Sequence, residues 1–205
     1  MITTIVVAVL LVLLVLVLRA LYSASRKPQP RPADTGNVRV SDARPGDVIS
    51  IAGAAEDYSD LEFTVDHRSR FDAGPRQWIE LRGSHRNRPV SIGVFAGEDD
   101  AAFSAGDRRL TLEDLGVSED QLAEMDRSQN GGSLVYDRKP WRYRMSKEFV
   151  LLRDSTSYGS SFYGWLFDEE DGPRTLLIRK PEGEPFHAFV ATRPKPGDIT
   201  VYRAG

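Results

Sequence analysis

The chain contains no cysteine. That single absence removes disulfides, thiol nucleophiles and cysteine-ligated zinc, and it suits a reducing compartment. Histidine is nearly as scarce: His67, His85 and His187 are the full set, and no two stand at a metal-ligand spacing such as H-x-x-x-H. Each is expected at a strand edge or in a loop. No glycine-rich phosphate loop is present, and Ser160-Ser161 lacks the G-x-S-x-G elbow of a serine hydrolase. A nucleophile, a base and an orienting group therefore cannot be assembled from these residues, which argues against an enzyme. The formal net charge is -3, too small to draw nucleic acid by global electrostatics. No cofactor or metal is expected.

What is present begins with Ile2–Leu18, an uncharged run without glycine or proline. Seventeen helical residues span roughly 26 Å, and extension through Arg19 to Tyr22 reaches the hydrocarbon thickness of about 30 Å. An arginine at a helix end snorkels to the headgroups, and a tyrosine suits the interface. A cleaved secretory signal is the rival, but it needs a basic start and a good small-x-small site, and Ser23-Ala24-Ser25 is poor. Arg19, Arg26, Lys27 and Arg31 all follow the run, so positive-inside topology places the remaining chain in the cytoplasm, as a single-pass membrane protein. Pro28, Pro30 and Pro32 make the next stretch a semi-rigid spacer.

From Val38 onward short runs alternate apolar and polar residues between Gly, Pro, Asp and Ser clusters, the pattern of antiparallel strands. Strands are expected at Asp47–Gly53, Leu61–His67, Gln77–Arg82 and Val90–Phe95, then at Ser133–Tyr136, Trp141–Met145, Phe149–Asp154, Phe162–Phe167, Arg174–Arg179, Phe186–Ala191 and Ile199–Tyr202. Phe162–Phe167 is apolar on both faces and should be central; Gly164 within it marks a bulge or a close approach. Ser118-x-x-Gln121 is a capping box that opens a short helix, and Thr111–Leu115 forms a turn before it. Asp171-Gly172 marks a hairpin.

The two strand-rich stretches read as copies. Trp78 to Phe103 spans 25 residues and Trp165 to Phe189 spans 24, each crossing the same order of runs and turns. The expected fold is mainly β, with a transmembrane anchor at 1–22, a linker at 23–37 and a β domain at 38–205. That domain is a duplicated antiparallel meander, small-barrel or sandwich-like, with halves at 38–110 and 131–205 and a helical connector at 111–130. Pro45-Gly46-Asp47-Val48-Ile49, Phe63-Thr64-Val65 and Trp78-Ile79-Glu80-Leu81 resemble the opening of bacterial proteins grouped as domain-of-unknown-function family 4178. The stretch from Tyr136 through Ile199–Val201 is similar to that family's second half, although RPVSIGVF stands where many members carry an aromatic-rich turn. The resemblance implies a β domain from membrane-associated or envelope-stress gene clusters, and no catalytic residues.

Charge is segregated. Between Asp66 and Val90 six arginines face three acids, whereas Glu98 to Asp126 holds ten acids and two arginines. Arg68, Arg70, Arg82, Arg86 and Arg88 are the candidate docking residues for lipid or partner, at about 1 kcal/mol each against an anionic surface. Pairing with the acidic connector is the alternative. Glu98-Asp99-Asp100 and Asp168–Asp171 are expected as solvated hairpin turns, and the aromatic run Tyr158, Phe162, Tyr163, Trp165 and Phe167 as core. The expected function is a non-enzymatic interaction or scaffold module with protein partners at the membrane; the alternative is a domain sensing a small ligand or lipid.

Overall fold

A computed structural model describes residues 38–128, 131–154, 156–195 and 197–204. The expected anchor at 1–22 and linker at 23–37 lie outside these residues. Among the described residues no helix is long and apolar enough to cross a membrane.

The β domain is organised by two long strands that each change partners halfway. In Leu61–Ala73 (β2), Leu61, Phe63 and Val65 are buried between exposed Glu62, Thr64 and Asp66, the period-2 pattern of a strand with one face inside. A β-bulge between Val65 and His67 then inserts a residue and reverses which parity faces which side. Phe71 and Ala73 keep the same parity as Val65, yet they pack into a different core. Lys139–Leu152 (β7) repeats the device, with its bulge between Tyr143 and Met145. The two strands run antiparallel with Asp72 opposite Val150. Each bulge begins seven residues before that pair (72 − 65 and 150 − 143), so the two halves are related by a pseudo-two-fold through Asp72 and Val150.

The first half is Val48–Ile51 (β1), β2, Arg76–His85 (β3), Arg88–Phe95 (β4) and Ala102–Ala105 (β5). The second is Ser133–Tyr136 (β6), β7, Phe162–Glu169 (β8), Arg174–Pro181 (β9) and His187–Thr192 (β10). All described pairings are antiparallel in one sheet, and the β2–β7 contact closes β2-β3-β4-β5-β10-β9-β8-β7 into an eight-stranded ring. The β5–β10 seam is the slightest join: its register is the single pair Thr192 with Phe103. The mainly β expectation is met by this one large antiparallel sheet. Ile199–Tyr202 (β11), read in sequence as part of the second meander, instead pairs with β1, because Val201 completes the first half's core.

Two further differences have local causes. Trp141–Met145 and Phe149–Asp154 are one strand, not two. The polar stretch Ser146–Glu148 that looked like a break stays in register with Trp165, Gly164 and Tyr163, and Lys147 Nζ donates to the Ala73 carbonyl at 2.9 Å. The copies also align three residues away from the tryptophans. Trp78 pairs with Phe71 as Phe162 pairs with Phe149, so the counterpart of Trp78 is Phe162 and that of Trp165 is Leu81.

Both expected helical pieces form. Leu112–Leu115 (α1) is capped by Thr111, whose hydroxyl accepts from the Asp114 N–H while Asp114 bonds back to the Thr111 N–H. Glu119–Ser128 (α2) opens with the Ser118/Gln121 box, the Ser118 N–H donating to Gln121 Oε1 at 2.8 Å and the Gln121 N–H to Ser118 Oγ at 3.2 Å. Asp126 of α2 accepts from Tyr163 at 2.8 Å and from Ser146, which pins the helix to β7 and β8. Gly164 is a close approach rather than a bulge: a Cβ there would lie 2.8 Å from the Phe149 ring. Asp171-Gly172 does form the β8–β9 hairpin, but its glycine makes room for the Glu169 carboxylate, 2.0 Å from where a Cβ would sit.

Three apolar clusters result. One belongs to each half, around Ile49, Leu81 and Ile92 in the first and around Trp141, Phe167 and Ile178 in the second. The third, with Phe71, Trp78, Phe95, Phe149, Phe162, Leu166 and Leu177, is shared. Phe149 stacks on Phe162 at 4.7 Å, and Phe71 meets Phe162 edge-on at 5.3 Å.

Candidate functional site

Strand alternation sends Ile79 and Leu81 of β3 into the first half's core and turns Trp78, Glu80 and Arg82 toward the second half. On β9 the same rule sends Leu176 and Ile178 into the second core and turns Thr175, Leu177 and Arg179 back toward the first. Between these two faces lies a cavity of about 300 Å³, also walled by Gly93, Ala102, Tyr158, Leu166, Phe189 and Ala191. Gly93 is required there, since a Cβ would stand 2.1 Å from the Trp78 ring that lies across it.

The polar centre of the cavity is a triad. Glu80, 3% exposed, accepts from Arg82 Nε at 2.7 Å through Oε1 and from Arg179 Nη2 at 2.5 Å through Oε2. Burial by itself pushes the Glu80 carboxyl up, but Arg179 and Arg82 outweigh it and hold the group below its ordinary range. One carboxylate between two guanidinium groups leaves the triad at +1. Arg179 lies over the rings of Phe162 at 4.3 Å and Phe189 at 5.5 Å, and Arg82 lies over Tyr158 at 4.8 Å. Two buried donors at this centre, Trp78 Nε1 and Arg179 Nε, have no protein partner. Buried donors are ordinarily paired; these two lie closed inside the wall, and the polar face turned to the cavity is that of the two guanidinium groups.

The five arginines singled out from the sequence go to three places. Arg82 belongs to the buried triad. Arg86 and Arg88, in and beside the tight β3–β4 turn, pair with Asp57 at 2.8 Å and with Glu56. Arg68 and Arg70, on β2, line a second pocket with Arg44 and Arg203. In the β3–β4 register Arg88 faces His85, which lies one residue past the Ser84–Thr64 pair of β2 and β3. Arg70 is thus separated from that turn by roughly 20 Å along the strand at about 3.3 Å per residue, and the two groups do not share one end of the sheet.

The other candidates are also placed. His67 stacks on Tyr158 at 4.9 Å, His85 Nδ1 meets the Glu62 backbone, and His187 lies edge-on to Phe189 at 5.2 Å. Among the described residues no three His, Asp or Glu side chains are grouped to hold a metal. The two acidic turns do meet: Asp100 and Asp168 share Arg144 and Arg193 across distances of 3.4 to 3.9 Å. Of the aromatic run, Phe162, Trp165 and Phe167 are core, and Tyr158 is 49% exposed over the cavity mouth.

The triad was missed in the sequence because Glu80 and Arg179 stand 99 residues apart. The one available sign was a Glu and an Arg placed two apart on the face of QWIELR that also carries the tryptophan. No family model, curated protein or solved structure matches the chain, so the cavity is described on its own geometry.

Proposed function

We propose that this domain is a non-enzymatic receptor for a small anionic amphiphile, held beside a membrane by the Ile2–Leu18 segment. The observation that carries the reading is the +1 triad set in an aromatic and aliphatic wall. A carboxylate-like head would pair with the Arg82 and Arg179 guanidinium groups, and a short apolar body would lie along Leu166, Leu177 and Phe189. The volume is at the lower end of the range for small-molecule sites. The charged groups are already locked to one another, which supports holding a ligand over turning one over. The residues resembling the opening of domain-of-unknown-function family 4178 run from the turn before β1 through β2 to β3, and we propose that the chain is related to that family.

The test is the ligand itself. Full-length protein is purified in mild detergent and its solvent extract is compared by mass spectrometry with that of Ala191→Trp, which fills the cavity. An anionic amphiphile present near one per chain in the parent and lost in the variant supports the receptor. An extract with no such compound, or one equal in both, overturns it. A stoichiometric protein partner in that case restores the scaffold reading.

A further inference from the structure

The second pocket, about 520 Å³, is separate from the cavity and is walled by Asp42, Arg44, Pro45, Arg68, Arg70, Asp154, Thr156 and Arg203. Four guanidinium groups against two carboxylates leave its lining at +2 (4 − 2). The internal pairings do not use up these donors. Arg203 is bound to the buried Asp47 at 3.0 Å and to the Asp42 carbonyl at 3.2 Å. Arg70 gives Nε to Asp154 at 3.1 Å, and the described hydrogen bonds leave both its Nη groups unassigned. Arg68 spends Nη2 on the Ser41 carbonyl at 3.2 Å while its Nε is buried without a partner. The Arg44 side chain makes no hydrogen bond among the described residues.

Clustered like charges repel and are kept only where something offsets them. The β2 bulge is what brings them here: past it, the even positions Arg68 and Arg70 lie on the side of β2 that Phe63 and Val65 occupied before it. Burial, and then the neighbouring Arg70, hold Arg68 below its usual pKa, a cost that an incoming anion would reverse.

We propose that this pocket binds a phosphoryl group. Guanidinium forks match phosphate oxygens in pairs, and the cluster stays net positive even with the Asp47 carboxylate bound to Arg203 counted, which favours an anion. The group has two possible carriers, a soluble phosphate or a lipid headgroup. The second has a geometric argument, because Asp42 and Arg44 lie a few residues after the linker that leads from the expected anchor.

The experiment uses the full chain in non-ionic detergent at fixed ionic strength. It is titrated by calorimetry with inorganic phosphate, with a short-chain phosphatidic acid and with the diacylglycerol of the same chain length. Arg44→Gln and Arg68→Gln are the test variants; Arg44 has no hydrogen bond to lose, so the first should keep the fold. Arg86→Gln is the control on another surface. Saturable binding of phosphate, weakened at least tenfold in both test variants and unchanged in the control, supports a site for soluble phosphate. Saturable binding of the phosphatidic acid alone, with the same variant pattern, supports a headgroup site. The proposal is overturned if neither phosphate compound saturates, if the diacylglycerol binds equally well, or if Arg86→Gln weakens binding as much as Arg44→Gln.

Discussion

Glu80 shows how one side chain can matter more through its absence than its presence. Replacing it by Gln would leave Arg82 and Arg179 facing each other in a buried site, and removing one partner of such a group costs about 3 kcal/mol or more. Glu80→Gln is therefore expected to lower the urea midpoint strongly. The triple replacement Glu80→Leu, Arg82→Met, Arg179→Met is expected to stay within about 1 kcal/mol of the parent, since a well-packed apolar set substitutes for a buried ion cluster. The triple variant, folded but without the two guanidinium groups, would also lose the ligand. His187 and Glu80, among the residues with depressed pKa values, contribute to acid sensitivity. His187 is kept neutral by burial first, then by Arg179 and Arg109, so its contribution is complete above the unfolded value near 6.5 and declines as pH falls below it. The Glu80 contribution is complete above 4.5 and is lost at lower pH. Urea midpoints measured from pH 8 to 4 should fall in those two windows, and His187→Gln should flatten only the upper one.

At the scale of elements, the segment from Arg153 to Ser161 between β7 and β8 touches both pockets. Asp154 and Thr156 wall the arginine pocket, and Tyr158 covers the cavity. The Asp154 carboxyl is held down to about 2: burial raises it, but the bonds from Thr156, Ser157 and Arg70 prevail. Ser69 fastens the far end, donating to the Tyr158 carbonyl at 2.6 Å and accepting its N–H at 2.8 Å. Ser69→Ala should speed hydrogen exchange at Tyr158 without altering exchange in β3 or β9, measured by mass spectrometry. The cap of α2 was legible from Ser118/Gln121 because capping is a contact between residues three apart; Thr111/Asp114 has the same spacing, but that stretch was read only as a turn. Also legible were β6 and β11, whose bounds follow local alternation. The continuity of β7 was not, because Ser146, Lys147 and Glu148 read as a break until their partners on other elements are known. The two pockets were illegible for the same reason at longer range: Arg203 joins Arg68 and Arg70 only through the pairing of β11 with β1.

For the whole molecule, the duplication was visible as a repeated order of runs and turns, while its register was not. Tryptophan is a conspicuous marker, but the position that repeats is the aromatic facing the shared cluster, Trp78 in one half and Phe162 in the other. Among the described residues, closure of the ring leaves β6 and β11 as the sheet ends, each four residues long. Short ends of this kind give another chain little backbone to pair with.

The pseudo-two-fold through Asp72 and Val150 reaches back before the present chain. A single meander would hold its own apolar cluster, but it would present Phe71 and Trp78, or Phe149 and Phe162, to water unless a second copy covered them. The arrangement is that of two like subunits meeting where β2 pairs with β7, here carried on one chain. The halves differ at the cavity, with Glu80 on one side and Arg179 on the other, a complementary pair that a symmetric dimer would carry twice or not at all. Cutting the chain at 129–130 and expressing the pieces together should thus yield a complex that reassembles, detected by size-exclusion chromatography, whereas either piece alone should aggregate.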